Sequence, residues 1–289
     1  MPSIPLPATS RRESAHISPS AHYTGFVWFR HGLSEAPFAS DFGRFAHRVL
    51  RPVTWGARRF FGLDIERFLL QRHLLIDARL EQTIARDGVT QVVEIACGLS
   101  PRGRRMRKQY PQLTYVEADL PEMASSKREL LRVQGWLGPR HRVEAVDILA
   151  DSGELSLSAL FAGLDRSKPV VVITEGLLNY FERPVVERFW RALAQQLQAF
   201  PAATYLTELY PDLTEHPRYR QLRWGVWLIG KLTRGGYPLH YQTEAAIAEA
   251  GKTCGFRAVQ VLNPDQQPAA LGLPRGPLAS LVRIVEARC

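Results

Sequence analysis

Four places in this sequence set a glycine or an acid where an apolar run ends. The first lies in residues 91–103. There Val92-Val93-Glu94-Ile95-Ala96 leads to Gly98, where the backbone can turn sharply or approach a ligand closely. The second is Tyr115-Val116-Glu117-Ala118-Asp119, whose acids can accept hydrogen bonds from both hydroxyls of a ribose. The third is Asp147-Ile148, an acid for an adenine amino group beside an apolar side chain that can cover the ring. The fourth is Thr174-Glu175-Gly176, with Tyr180 four residues beyond Gly176. Taken singly, each acid reads equally as a helix N-cap or a solvated loop charge, and the glycine as an ordinary strand–helix turn. Ala96 also stands where a G-x-G-x-x-G motif would have its first glycine. In this order at successive strand ends, the set points to one ligand across the carboxyl edge of an open α/β sheet.

Such a site needs strands that end together. Apolar runs predict strands at 91–96, 113–117, 142–146, 169–174, 204–209, 258–262 and 280–286, and helical periodicity fills most gaps, at 104–110, 123–134, 184–199 and 243–253. Alternation of this kind implies a Rossmann-like, seven-stranded, mostly parallel sheet with helices on both faces. The last two strands are joined by a Pro/Gly/Gln-rich loop without a helix, which suits an antiparallel last strand. Residues 1–20 read as a flexible tail and 21–88 as a helical cap. Residues 89–289 form the core, with an aromatic- and arginine-rich cap insertion at about 210–241. That insertion reads equally as an aromatic core element.

The chain of 289 residues carries a net charge of +9 and a pI near 9.8, so acidic partners are favoured: carboxylated metabolites, phosphates, acidic proteins or nucleic acid. Cys97, Cys254 and Cys289 form no C-x-x-C pair, which argues against a disulfide scaffold or zinc ribbon and suits a reducing cytoplasm. Arg11 and Arg12 have no apolar run behind them, so no secretory signal is expected, and no stretch is long enough to span a bilayer, so no membrane partner is expected. The run Arg102, Arg104, Arg105, Arg107, Lys108 reads as a solvated helix face rather than a nucleic-acid patch, and the histidines show no metal-ligand spacing.

The pieces Arg72-His73 with Ile76-Asp77, Gly98-Leu99-Ser100-Pro101-Arg102, Glu117-Ala118-Asp119-Leu120-Pro121 with Lys127, Asp147, and Glu175-Gly176 with Tyr180 make the chain resemble class I S-adenosylmethionine-dependent methyltransferases. Within them it is similar to the leucine carboxyl methyltransferase family, including its bacterial polyketide-type O-methyltransferases. The likeness covers residues 72–180, with a weaker stretch at 21–34. His73 stands where the family shows threonine, and Ala96, Ser100 and Pro101 depart from its Gly-x-Gly-Leu-Asp-Thr-Arg. The resemblance implies S-adenosyl-L-methionine as cofactor, with Arg72 on its carboxylate and Gly98 against its methionine part. Asp119, with Glu117, would hold the ribose, Asp147 and Ile148 the adenine, and Glu175 would face the amino group or the sulfonium neighbourhood. Glu94 counts with these cofactor-binding positions, and Tyr180 is the catalytic candidate beside substrate.

Two function classes remain open at this level. One is a cytoplasmic enzyme of secondary metabolism that methylates an acidic small molecule, with a carboxylate acceptor giving a methyl ester. A hydroxyl of a polyketide-like metabolite or a thioether is the alternative acceptor. A carboxylate or thioether needs no base; a hydroxyl does, with His22, His31, His73, His216 and His240 as candidates. The other is not a small-molecule enzyme: either a nucleic-acid-associated protein, namely a tRNA-associated carboxyl methyltransferase, or a cofactor-binding protein without catalysis.

Overall fold

The computed structural model describes residues 18–211 and 239–289. Most of the aromatic segment at 210–241, and the tail up to residue 17, lie outside the described residues.

Strands β1 (Gln91–Ile95), β2 (Thr114–Asp119), β3 (His141–Ala145), β4 (Val170–Thr174), β5 (Ala203–Leu209), β6 (Ala258–Leu262) and β7 (Arg283–Arg288) form one sheet in the order β3-β2-β1-β4-β5-β7-β6. The strands β1 to β5 pair in parallel, and β7 runs antiparallel between β5 and β6. This is the Rossmann-like sheet expected, with its antiparallel last strand. Strand order reverses between β1 and β4, which opens a crevice outside their carboxyl ends.

Eight α-helices are present among the described residues: α1 (Ser18–Arg30), α2 (Asp41–Phe61), α3 (Ile65–Asp87), α4 (Arg102–Gln109), α5 (Pro121–Val133), α6 (Leu157–Ala162), α7 (Arg183–Leu197) and α8 (Glu244–Thr253). The β-branched runs of β1 and β4 are buried on both faces, and successive side chains go to opposite cores. Val93, Val170 and Val172 pack with Phe189, Trp190, Leu193 and Leu197 of α7. On the other face Val92, Val171 and Ile173 pack with Ile76, Leu80 and Ile84 of α3, spaced by one helical turn. Burial of each such side chain contributes roughly 1.5–3 kcal/mol before entropy. Assigned to the cap from sequence, α3 is therefore a sheet-covering helix. The reason is its apolar stripe, which would stay in water anywhere else.

Strand β7 begins three residues later than residue 280. Residues before it are tied to α3 instead: Arg67 donates to the Leu278 carbonyl at 2.6 Å and Ser280 Oγ donates to Gln71 at 2.8 Å. Ahead of the sheet, α1 lies on α2 at Gly43, where an added Cβ would sit 2.2 Å from the His22 carbonyl oxygen. Because backbone cannot yield as a side-chain tip can, Gly43→Ala is expected to destabilise by about 1–3 kcal/mol. Equilibrium denaturation measures it; an unchanged midpoint would mean that α1 is held loosely.

Candidate functional site

The glycine turn after β1 is built under strain. Ala96 has φ 57° and Gly98 φ 46°, both in the left-handed region. For alanine this costs roughly 1–2 kcal/mol, so Ala96→Gly should leave stability unchanged or raise it by up to about 1 kcal/mol despite the entropy of glycine. A fall in melting temperature would show that the Ala96 methyl packs usefully. The Gly98 N–H donates to Asp119 Oδ2 at 2.8 Å, and the Leu120 N–H donates to Asp119 Oδ1 at 2.8 Å. Burial raises the Asp119 carboxyl above its usual range, partly offset by those two N–H groups. Each oxygen has accepted one bond, and a carboxylate offers about four acceptor positions. Ala21 of α1 covers Gly98, 3.0 Å from where its Cβ would be.

Beneath the turn lies an ionic network. The register sets Glu94 beside Glu117 on one sheet face. Glu94 accepts from Arg102 and from the Tyr115 hydroxyl at 2.7 Å. Glu117 pairs with Lys127 and with His141 at 2.8 Å, while Lys127 also donates to the Ser100 carbonyl at 2.7 Å. Arg102 is fully buried and also meets Asp77 and Glu175. Glu94 and Glu117, expected at the cofactor, are thus consumed in neutralising buried cations below the site. Their side chains are 1% and 0% exposed.

At the ends of β4 and β5 the second half of the site assembles. Arg72 Nε donates to Glu175 Oε1 at 2.9 Å, and its Nη1 lies 3.6 Å from Glu208 Oε1. His73 Nδ1 lies 2.8 Å from Glu175 Oε2 and its Nε2 lies 2.8 Å from Arg105. A neutral ring with its proton on Nδ1 satisfies both contacts, and burial pushes the His73 pKa down in agreement. Burial would raise Glu175, but His73, Arg102 and Arg72 outweigh it and hold the carboxyl well below its usual value. Glu208 goes the other way. It accepts from the Gly176 N–H at 2.6 Å, and among the described residues its Oε2 has no hydrogen-bond partner. Burial lifts its pKa to about 7, opposed by Arg72 and assisted by Glu175.

Sequence reasoning missed Glu208, though it sits at the fifth strand end as the others sit at the first four. The remaining expected residues have partners of their own. Asp147 Oδ1 accepts from the Leu149 N–H at 2.9 Å at the end of β3, and Ile148 packs partly on the main core. The Tyr180 hydroxyl donates to Ser20 Oγ of α1 at 3.1 Å, and burial raises its pKa.

The candidate bases are mostly occupied. His22 meets Ser40 at 2.9 Å, His31 meets Glu66 at 3.0 Å and His240 meets the Phe181 carbonyl at 2.5 Å. His73 is sealed in the network, and His216 lies outside the described residues. The basic run on α4 is not the solvated face expected. Besides Arg102, Arg105 reaches Asp77, Arg104 stacks on Trp136 at 4.4 Å and Arg107 caps the Leu113 carbonyl at 2.6 Å.

The family profile described as leucine carboxyl methyltransferase matches residues 44–194, just over half of the chain. Leucine carboxyl methyltransferase 1 of Eremothecium gossypii is 33% identical over 140 residues, covering 42% of each chain. A Mycolicibacterium smegmatis protein named, by inference, an S-adenosyl-L-methionine-dependent methyltransferase is 36% identical over 120 residues, 42% of this chain and 39% of its own. The chain thus aligns with about two fifths of the length of these relatives. Among solved structures, a protein of Thermobifida fusca assigned as a methyltransferase superposes with a TM-score of 0.61 at 16% identity, covering 93% of both chains. That likeness bears on the fold alone.

Proposed function

The chain belongs to the leucine carboxyl methyltransferase family, and on that premise we propose that it methylates an acidic small molecule from S-adenosyl-L-methionine. The acceptor is a carboxylate and the product a methyl ester. The observation that carries this is the pairing of two half-sites across the β1/β4 crevice. One is the Gly98–Asp119 turn, suited to a ribose; the other is the Arg72–Glu175–Glu208 cluster, suited to an amino acid. Arg72 would take the cofactor's carboxylate in competition with Glu175 and Glu208. The acids would take its ammonium, which fits the Glu208 oxygen without a hydrogen-bond partner among the described residues. Asp147 and Ile148 would frame the adenine, and Tyr180 would stand beside substrate.

The cofactor supplies an activated methyl group and its leaving group. The chain's residues must hold the acceptor oxygen about 3 Å away and in line. A carboxylate is ionised near pH 7 and needs no base, which agrees with the partners that His22, His31 and His73 have among the described residues; the positive protein attracts it. Incubation with labelled cofactor and a metabolite extract should give product that releases methanol on mild alkaline treatment. An alkali-stable product would sink the ester.

One observation favours a second reading, methylation of a hydroxyl. Glu208 is a buried carboxyl with a pKa near 7, so it could serve as base. Single-turnover rates rising about tenfold per pH unit below 7, and losing that rise in Glu208→Gln, would establish it.

Glu208 also predicts a stability profile. Its folded pKa lies above its unfolded one, so its stabilisation is complete at low pH and is lost as pH rises from about 4.5 through 7. Glu208→Gln, which keeps an acceptor for the Gly176 N–H, should therefore be more stable than wild type at pH 8, by about 1–3 kcal/mol, and close to it at pH 4.5. Equal pH dependence in denaturant titrations would show that Glu208 is solvated.

A further inference from the structure

Helix α2 is a 21-residue element whose packing explains only one of its sides. Ser40 caps its start by accepting from the Gly43 N–H, and Gly62 ends it at φ 70°. On the packed side, Gly43 touches α1 and His47 bonds Glu66 of α3 at 2.9 Å. Elsewhere stand Phe42, Phe45, Val49, Val53 and Phe60, 47–71% exposed. At 3.6 residues per turn these five fall within an arc of about 80° along a helix about 30 Å long, while Trp55, 55% exposed, lies outside it among the arginines. Most large exposed apolar side chains of the described residues are on this one helix, where scattered single ones would need no explanation. Beside the ridge run five exposed arginines, Arg44, Arg48, Arg51, Arg58 and Arg59; the helix has no lysine, and its single acid is Asp41 at one end.

We propose that α2 is a membrane-surface element: its apolar ridge enters the headgroup region of an anionic lipid surface while its arginines hold lipid phosphates. The ridge lies beside a basic stripe on the solvent side of the fold, which is how interfacial helices are patterned. Guanidinium forks match phosphodiester oxygens two at a time. A second copy of this chain would bring five arginines against five arginines, so charge disfavours it. Adsorption requires no spanning segment, and no helix of the described residues is long and apolar enough to cross a membrane.

The test is co-sedimentation of the full chain with phosphatidylcholine vesicles, with and without about 30 mol % phosphatidylserine. Binding should require the anionic lipid and weaken with salt. Phe45→Ser/Phe60→Ser should lower affinity at least about tenfold with little change in melting, since both positions are exposed. Arg48→Glu/Arg51→Glu should lower it similarly and flatten the salt dependence. Lys252→Glu/Arg257→Glu, an equal charge change at exposed positions on and beside α8, is the control. If that control weakens binding as much, or if the phenylalanine variant binds as wild type does, the chain adheres by net charge and the proposal fails. It also fails if no vesicle binds while sedimentation shows a dimer that Phe45→Ser/Phe60→Ser dissolves, because the ridge would then face a second copy.

Discussion

Arg102→Leu is expected to destabilise the protein by about 3–5 kcal/mol, the largest effect of any single substitution considered. The guanidinium is fully buried and touches Asp77, Glu94 and Glu175. Its removal leaves three carboxylates in a low-dielectric interior, with Arg105, Arg72, His73 and the Tyr115 hydroxyl among their remaining opposite-charge or hydrogen-bonding partners. Leucine fills part of the volume, so a cavity is the smaller part of the loss. Burial alone would depress the Arg102 pKa, but the surrounding acids reverse this and hold the group ionised. The double variant Arg102→Leu/Glu94→Leu should recover part of the loss, because it removes one stranded charge with the partner that needed it. Denaturant titration of both variants checks this. A loss under about 1 kcal/mol for the single variant, or no recovery in the double, would mean that water reaches the network.

That network shows where the sequence was readable and where it was not. The β-strands were legible because Val92-Val93 and Val170-Val171-Val172-Ile173 have no plausible place except a sheet buried on both faces. Helix α1 was less so: it carries Tyr23, Phe26, Val27, Trp28 and Phe29 around most of its circumference, leaving no stripe to read, and its burial depends on α2 and the glycine turn. The six-residue α6 was too short to show a period.

For the site, position at a strand end does not reveal which partners packing brings to each acid. Glu94 and Glu117 look like ligand acids in one dimension. Only the packing of α4 and α5 reveals that Arg102 and Lys127 claim them. Glu208 was hidden by the opposite error. It lies within the apolar run of β5, one residue before its end, and was read as strand rather than as edge. The Arg72–Glu175 pair unites residues 103 positions apart, a proximity that no local pattern encodes.

Asp119→Ala is expected to weaken binding of S-adenosylhomocysteine about 10–100-fold, the loss of charge-assisted hydrogen bonds to two ribose hydroxyls at about 1.5–3 kcal/mol. The product form of the cofactor is the better probe, since nothing is consumed during calorimetry. Asp119 also braces the turn through the Gly98 and Leu120 N–H groups, so alanine removes two things at once. Asp119→Asn separates them. Its amide oxygen can still accept one of the two N–H groups while its NH2 faces the other, so it should lose less stability than alanine does, while the charge that ribose hydroxyls would favour is gone. Comparable affinity loss in both variants, with melting lowered mainly in alanine, assigns Asp119 to the ligand. Because burial raises its pKa, affinity should also begin to fall on acidification earlier than for an exposed aspartate. Wild-type affinity in Asp119→Ala, with only the melting lowered, would leave this carboxylate as a turn brace and remove the ribose from the β2 edge.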